Sequence, residues 1–311
     1  MTVASETRTL QSPPRILPLY ARAAAPLVPG LSLLPFVPGG GGEIPPIELE
    51  LVKVRADPGA VAAYARVCGF TLRDQLPPTY PHVLAFPLHM ALMADGRFPF
   101  GAVGLVHVAN RIEQRRPLGL GEELTLRARP TALVPHPKGK TFTIVTEAKT
   151  TGGELAWEGV STFLRRGEGD REAAVPGMRG QGRASEGEGL EETPASAEWK
   201  LGGDLGRRYA AVSGDRNPIH MHALTAKPLG FPAAIAHGMW TKARCLAALE
   251  SRLPDAFAVE VRFRRPILLP ARVEFASADE GDGGIEFAVR DAKRATPHLD
   301  GRVIPEKGTS K

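Results

Sequence analysis

The sequence predicts an α+β chain made of two copies of one plan, with antiparallel sheets rather than a parallel βαβ sheet. Three observations carry this prediction. Strand-like runs gather after helical runs in each half of the 311 residues. Short segments recur in the same order in both halves. A polar stretch at 167–195, almost without large apolar side chains, stands between them.

The elements follow in chain order. Residues 1–44 read as a flexible arm. Residues 15–38 are apolar, but Pro18, Pro26, Pro29 and Pro35 interrupt them and Gly39 to Gly42 follow. No uninterrupted stretch approaches the ~20 apolar residues of a membrane span, and no secretory signal is read. The N-terminal domain, 45–166, opens with alternation over 46–54. Asp57 then caps a helix running to Val67, with Pro58 at its first position. A second helix is predicted from Leu84 to Ala94, followed by strands near 101–112, 121–132, 140–150 and 154–166. Residues 167–195 cannot bury enough surface to offset their ordering entropy and read as a linker. The C-terminal domain, 196–311, repeats the plan. A helix spans 204–212, a turn covers Asp215 to His220, and a long helix covers 238–252. Strands are predicted near 256–264, 271–279, 284–291 and 297–304.

The duplication rests on matched segments. Tyr64-Ala65-Arg66-Val67-Cys68-Gly69 pairs with Tyr209-Ala210-Ala211-Val212-Ser213-Gly214, and Phe86-Pro87 with Phe231-Pro232 at the same spacing. Arg116-Pro117-Leu118 likewise resembles Arg265-Pro266-Ile267. The copies are unequal. In this register Phe70 and Gln75 stand where the second copy has Asp215 and His220, and Leu92-Met93 where it has His237-Gly238. Only the second copy carries the candidate chemistry.

That chemistry lies in Ser213-Gly214-Asp215-Arg216-Asn217-Pro218-Ile219-His220. Pro218 pushes Asn217 towards extended geometry and removes an amide donor, which argues against a helix. A stiff turn aims Asp215 and His220 at one point, where a water could lose a proton to either. The same residues also suit an Asx-turn with a helix cap. Downstream, Gly238 opens a helix marked by Met239, Ala243, Leu246 and Ala247. Its amide has no internal partner and suits an enolate oxygen; a plain glycine start to a buried helix is the alternative.

Together these motifs resemble the MaoC-like dehydratases, the R-specific enoyl-thioester hydratases. The similarity covers about residues 45–303 and is nearest the two-domain actinobacterial 3-hydroxyacyl-thioester dehydratases, which share stretches like Thr79-Tyr80-Pro81 and Phe98-Pro99-Phe100. The resemblance implies a double hot-dog fold, in which a sheet wraps a helix in each half. It implies reversible hydration of trans-2-enoyl thioesters to (3R)-3-hydroxyacyl thioesters in fatty-acid or related acyl metabolism. Asp215, His220 and Gly238 are the expected catalytic residues, with Ser213, Asn217 and His237 in support. A hot-dog thioesterase and a non-catalytic acyl-binding subunit are the rival readings.

Composition bounds the partners. A net charge of +5 without a long basic run, and 6% aromatics without a basic–aromatic stripe, do not indicate nucleic acid. Cys68 and Cys245 form neither a metal pattern nor a disulfide framework, so a reducing cytoplasmic setting is expected. No metal is expected, because His220-x-His222 lacks a third ligand at a recognisable spacing, and no cofactor is expected, since nothing resembles a dinucleotide-binding fingerprint. The substrate is expected on coenzyme A or acyl carrier protein, bound by a monomer or homodimer. Arg264 and Arg265 could meet a pantetheine phosphate or simply end a strand.

Overall fold

Apolar side chains on alternate positions build one continuous sheet across both copies, antiparallel except at one edge, and each copy lays a helix against it. The computed structural model describes residues 6–25, 42–170, 172–173, 190 and 193–306. The first copy contains β2 (Ile47–Val54), α2 (Pro58–Cys68), α3 (Tyr80–Met93), β3 (Val106–Gln114), β4 (Leu124–Pro130), β5 (Val134–His136), β6 (Gly139–Thr150) and β7 (Leu155–Arg166). Ahead of them lie β1 (Glu6–Leu10) and α1 (Ile16–Ala24). The second copy contains β8 (Ala197–Leu201), α4 (Leu205–Ser213), α5 (Pro218–Met221), α6 (Ala223–Ala226) and α7 (Gly238–Ala248). Strands β9 (Phe257–Phe263), β10 (Ala271–Asp279), β11 (Ile285–Asp291) and β12 (Pro297–Pro305) follow.

The strand order is β1-β2-β4-β6-β7-β3-β9-β12-β11-β10-β8, with β5 folded onto β6. Strands β3 and β9 pair from Ala109–Arg262 to Gln114–Phe257, so the copies meet edge to edge. Helix α3 packs on β2, β4 and β6. Helix α7 lies over the seam. Its buried Lys242 Nζ donates to Asn110 Oδ1 at 2.6 Å on β3 and to the Val259 carbonyl at 3.1 Å on β9. Helices α2 and α4 pack together, with the Tyr64 and Tyr209 rings 6.0 Å apart.

Local chemistry explains where these helices begin and stop. Asp57 Oδ1 accepts the Ala60 amide at 2.7 Å, and Pro58 sits where an amide would be unpaired anyway. Helix α4 stops at Gly214, whose φ of +77° is open to glycine at low cost.

Four expectations require correction. Residues 1–44 are not a loose arm throughout. Strand β1 pairs in parallel with β2, from Glu6–Ile47 to Leu10–Leu51. Helix α1 tolerates Pro18 because it falls in the first turn, where the lost amide donates to nothing. Helix α3 starts at Tyr80 rather than Leu84, since Pro81 suits a first turn. Residues 197–201, for which the sequence predicts no element, form β8 on β10, the counterpart of β2 on β4. Of the linker expected over 167–195, the Gly167 and Asp170 amides extend the β5–β6 hairpin by bonding the Lys138 and His136 carbonyls; most of the rest lies outside the described residues.

The fourth correction concerns the register of the duplication. Tyr64 and Tyr209 do occupy matching helices, each closed by a left-handed glycine, Gly69 or Gly214. Beyond that point the match fails. Residues 69–79 connect α2 to α3, whereas 214–237 connect α4 to α7 and contain α5 and α6. Leu92 and Met93 therefore end α3, while His237 and Gly238 begin α7. Phe86-Pro87 lies inside α3 and Phe231-Pro232 precedes α7, so that pair is not equivalent either. The second copy's extra segment is the one that carries His220.

Candidate active site

The turn after α4 is organised by short-range hydrogen bonds. Ser213 Oγ donates to the Tyr209 carbonyl at 2.9 Å and accepts the Asp215 amide at 3.2 Å. Asp215 Oδ1 accepts the Asn217 amide at 3.1 Å. Asn217 is extended, at φ −54° and ψ 127°, as a residue before proline must be. Its Oδ1 caps the next element by accepting the Ile219 amide.

That element is a correction to the helix-free turn. Pro218 opens the single helical turn α5, because at the first helical position its missing donor costs nothing. His220 is carried in this turn and is buried. Its Nδ1–H donates to the Ile235 carbonyl at 2.8 Å, which leaves Nε2 as the lone-pair nitrogen. The turn is seated against α4 at Gly206, where any Cβ would fall 1.9 Å from the His220 carbonyl oxygen.

His237 closes the arrangement from the other side. Its Nε2–H donates to the Asp215 backbone carbonyl at 2.9 Å. Its ring stacks on His220 with centroids 3.6 Å apart and lies 4.8 Å from Tyr209. Gly238 follows as the first residue of α7, so its amide has no intrahelical carbonyl to reach. A Cβ there would stand 2.9 Å from the Phe263 ring.

A carboxylate oxygen of Asp215 and one nitrogen each of His220 and His237 lie within 4.8 Å of one another. That spacing suits a water bridged by two hydrogen bonds. It suits a metal poorly. A metal must lie about 2 Å away in the plane of each ligating imidazole, and two rings stacked at 25° do not share such a point.

Tyr20, from α1, completes the shell around the carboxylate. Its hydroxyl donates to Asp215 Oδ1 at 2.9 Å and accepts the Arg216 amide at 2.8 Å. Burial, then the Asp215 charge, raises the Tyr20 phenol, so it stays a donor. Burial also pushes the Asp215 carboxyl upward. His237 and His220, the Asn217 amide and Tyr20 outweigh it and leave the pKa below its ordinary value. Burial lowers His220, against Asp215 and the Ile235 carbonyl. At neutral pH the pair is therefore a carboxylate beside a neutral imidazole.

All of these groups line a cavity of about 410 Å³ that draws on both copies. Arg264 and Arg265 also line it, although the Arg264 guanidinium is engaged by Asp300. His222 is exposed and caps α6 by accepting the Leu224 amide, away from the Asp215 cluster. Sequence reasoning missed Tyr20, because nothing local ties a tyrosine in a proline-broken segment to a carboxylate 195 positions away. It also missed His82, His89 and His107, which line the same cavity from the first copy. His82 and His89 are two helical turns apart, a spacing that could have marked one face of α3.

Comparison with known proteins identifies the family. Residues 191–299 match the family model of the MaoC like domain. The 3-hydroxyacyl-thioester dehydratase X of Mycobacterium tuberculosis is 38% identical over 270 residues, spanning 87% of this chain and 93% of that protein. The crystal structure of HtdX from the same organism superposes with a TM-score of 0.72 at 37% identity, over 83% of this chain and 99% of that one. Enoyl-CoA hydratase ChsH3, also of M. tuberculosis, is 26% identical over 71% of this chain and 79% of its own length. A double hot-dog protein of M. tuberculosis, at 14% identity and a TM-score of 0.53 over 80% of this chain and 92% of its own, shares the fold. With an α3 or α7 helix laid on each half of its sheet, and with that length of similarity to HtdX, the chain is a double hot-dog protein and belongs to the MaoC-like dehydratase family.

Proposed function

We propose that this chain is a hydro-lyase that reversibly hydrates trans-2-enoyl thioesters to (3R)-3-hydroxyacyl thioesters. The observation that carries the reading is the meeting of the Asp215 carboxylate and the His220 imidazole within 4.8 Å. The two line one cavity with Gly238.

The thioester carbonyl accepts the Gly238 amide, at the positive end of α7. One donor of this kind is worth roughly 3–4 kcal/mol as enolate charge develops. A water lies between Asp215 and His220 Nε2. Its oxygen bonds to C3, the C2–C3 π electrons move towards the carbonyl oxygen, and the water proton passes to the Asp215–His220 pair. A proton from that pair then closes C2. In dehydration each step runs backwards. Asp215 orients the water and stabilises the imidazolium; His237 and Ser213 hold Asp215 through its backbone. These steps draw on no redox cofactor or metal. The stereochemistry and the acyl-metabolic role follow the family resemblance. Coenzyme A is the proposed carrier, with acyl carrier protein the alternative, and a single chain or a pair of chains would serve. No described helix is long and apolar enough to cross a membrane, which fits the cytoplasmic setting we infer.

The test is turnover of crotonyl-CoA, following loss of the conjugated enoyl absorbance alongside free-thiol release. Absorbance loss without thiol supports the hydratase. Thiol release in step with it would replace the reading by a thioesterase, and neither signal would leave an acyl-binding subunit.

A further inference from the structure

Four buried side-chain nitrogens among the described residues have no partner within the protein: His89 Nδ1, His107 Nε2, His237 Nδ1 and Arg262 Nε. All four residues line the active-site cavity. Native structures pair nearly all such atoms, and leaving one unpaired costs its full desolvation. Their gathering around one cavity marks groups that a bound molecule would satisfy.

Two of the four belong to a cluster that the hydration chemistry does not use. His82 and His89 lie on one face of α3 with ring centroids 5.1 Å apart, and His82 stacks on His107 of β3 at 6.2 Å. His89 Nε2 meets Thr146 Oγ1 at 2.7 Å, while among the described residues His82 makes no side-chain hydrogen bond. His107 also lies 5.2 Å from the Phe263 ring, the ring against which Gly238 is set. The cluster is thus one aromatic ring removed from the amide proposed to receive the thioester carbonyl. Its neighbours on the cavity wall, Val83, Phe86, Met90 and Met93, are apolar.

Charge narrows the ligand. Burial takes His82 down to about 4 and His107 to about 3, and holds His89 well below its ordinary value. All three imidazoles are neutral near pH 7, so the cluster offers a carboxylate no cation. Each neutral ring has one donor and one acceptor nitrogen. A plain alkyl tail would cover these nitrogens without pairing them. Sites that hydrogen-bond a substrate group discriminate strongly against the analogue without it.

We propose that His82, His89 and His107 form a polar acyl subsite, selecting thioesters whose chain carries a neutral hydrogen-bonding oxygen, a hydroxyl or ketone, beyond C3. This deepens the enoyl-thioester reading and rests on it.

Binding of saturated acyl-CoAs, which cannot be hydrated, tests the proposal by titration calorimetry. The ligands are octanoyl-CoA, ω-hydroxyoctanoyl-CoA and the methyl-ketone analogue of equal length, with butyryl-CoA as reference on every variant. The wild type is expected to bind one oxygenated ligand about tenfold or more tighter than octanoyl-CoA, a difference of ~1.4 kcal/mol. Which of the two it prefers separates hydroxyl from ketone. His107→Leu and His82→Phe should bring the ratio close to one. Octanoyl-CoA binding as tightly as both, or a ratio unmoved by both variants, would overturn the subsite. Should one variant fail to fold, the other and the wild-type ratio still decide. Crotonyl-CoA hydration measured in parallel reports separately on the hydratase reading.

Discussion

The Tyr20 hydroxyl donates to Asp215 Oδ1 at 2.9 Å, so a residue near the start of the chain holds the carboxylate of the second copy. The Tyr20 hydroxyl oxygen in turn accepts the Arg216 amide. It thereby fixes both the charge and the backbone of the turn. A hydrogen bond to a charged group contributes about 1.5–3 kcal/mol.

Tyr20→Phe should therefore raise the Asp215 pKa and lower kcat for crotonyl-CoA by about tenfold, with a smaller change in KM. The wild-type kcat/KM should hold its plateau below the ordinary histidine range near pH 6.5, because His220 is lowered by burial. In the variant the acid limb should move upward. A proportional loss at every pH, with no displaced limb, would show that Tyr20 only braces the fold.

Gly206→Ala tests how α5 is seated. Its Cβ would fall 1.9 Å from the His220 carbonyl oxygen, which is backbone and cannot swing aside. Overpacking typically costs about 1–3 kcal/mol. The variant should melt at lower temperature and lose most hydratase activity, as shown by thermal unfolding and crotonyl-CoA rates. Wild-type activity would mean that α5 does not set the position of His220.

Lys242 tests the seam. Its ammonium lies among three oxygens, Asn110 Oδ1, the Asn110 carbonyl at 3.3 Å and the Val259 carbonyl. Burial lowers its pKa well below the ordinary value, against the charge of Glu260. Lys242→Met keeps much of the volume but strands the buried Asn110 Oδ1 and removes the additional donor to two strand carbonyls. A loss of about 1–3 kcal/mol per stranded group is expected at most, read as a lower urea midpoint with an unchanged m-value. An unchanged midpoint would remove Lys242 from the account of how the copies are joined.

Acid should destabilise the protein through its buried imidazoles. His82 titrates near 4 when folded, and His107 and His237 near 3, against about 6.5 when unfolded. Between those values the unfolded chain binds more protons. Stability therefore rises with pH across the window and is lost as pH falls below about 6.5, by up to ~1.4 kcal/mol per unit for each group. Urea midpoints measured from pH 7 to 5 should fall, and less steeply in His82→Phe. A flat profile would mean that these rings are solvated in solution.

The sequence exposed most of the strands because their pleat alternates apolar and polar side chains. It also exposed the dozen residues around Asp215 and His220, where proline and glycine chemistry is local. What it hid was long-range. Strand β1 and Tyr20 depend on partners far along the chain, and α3 began earlier than its apolar run suggested. The false match of Leu92-Met93 with His237-Gly238 arose because a constant spacing cannot register α5 and α6, the insertion that delivers His220. Of the imidazole cluster, the spacing of His82 and His89 could mark one helix face, but nothing local tied His107 of β3 to it.

The central claim is that Asp215 and His220 act on one water beside the Gly238 amide, and a double-mutant cycle on crotonyl-CoA tests it most directly. Asp215→Asn and His220→Ala should each lower kcat/KM by about 10²–10⁴, and the double variant should be little worse than the poorer single. Full activity in either single variant, or losses that multiply completely, would contradict the shared water.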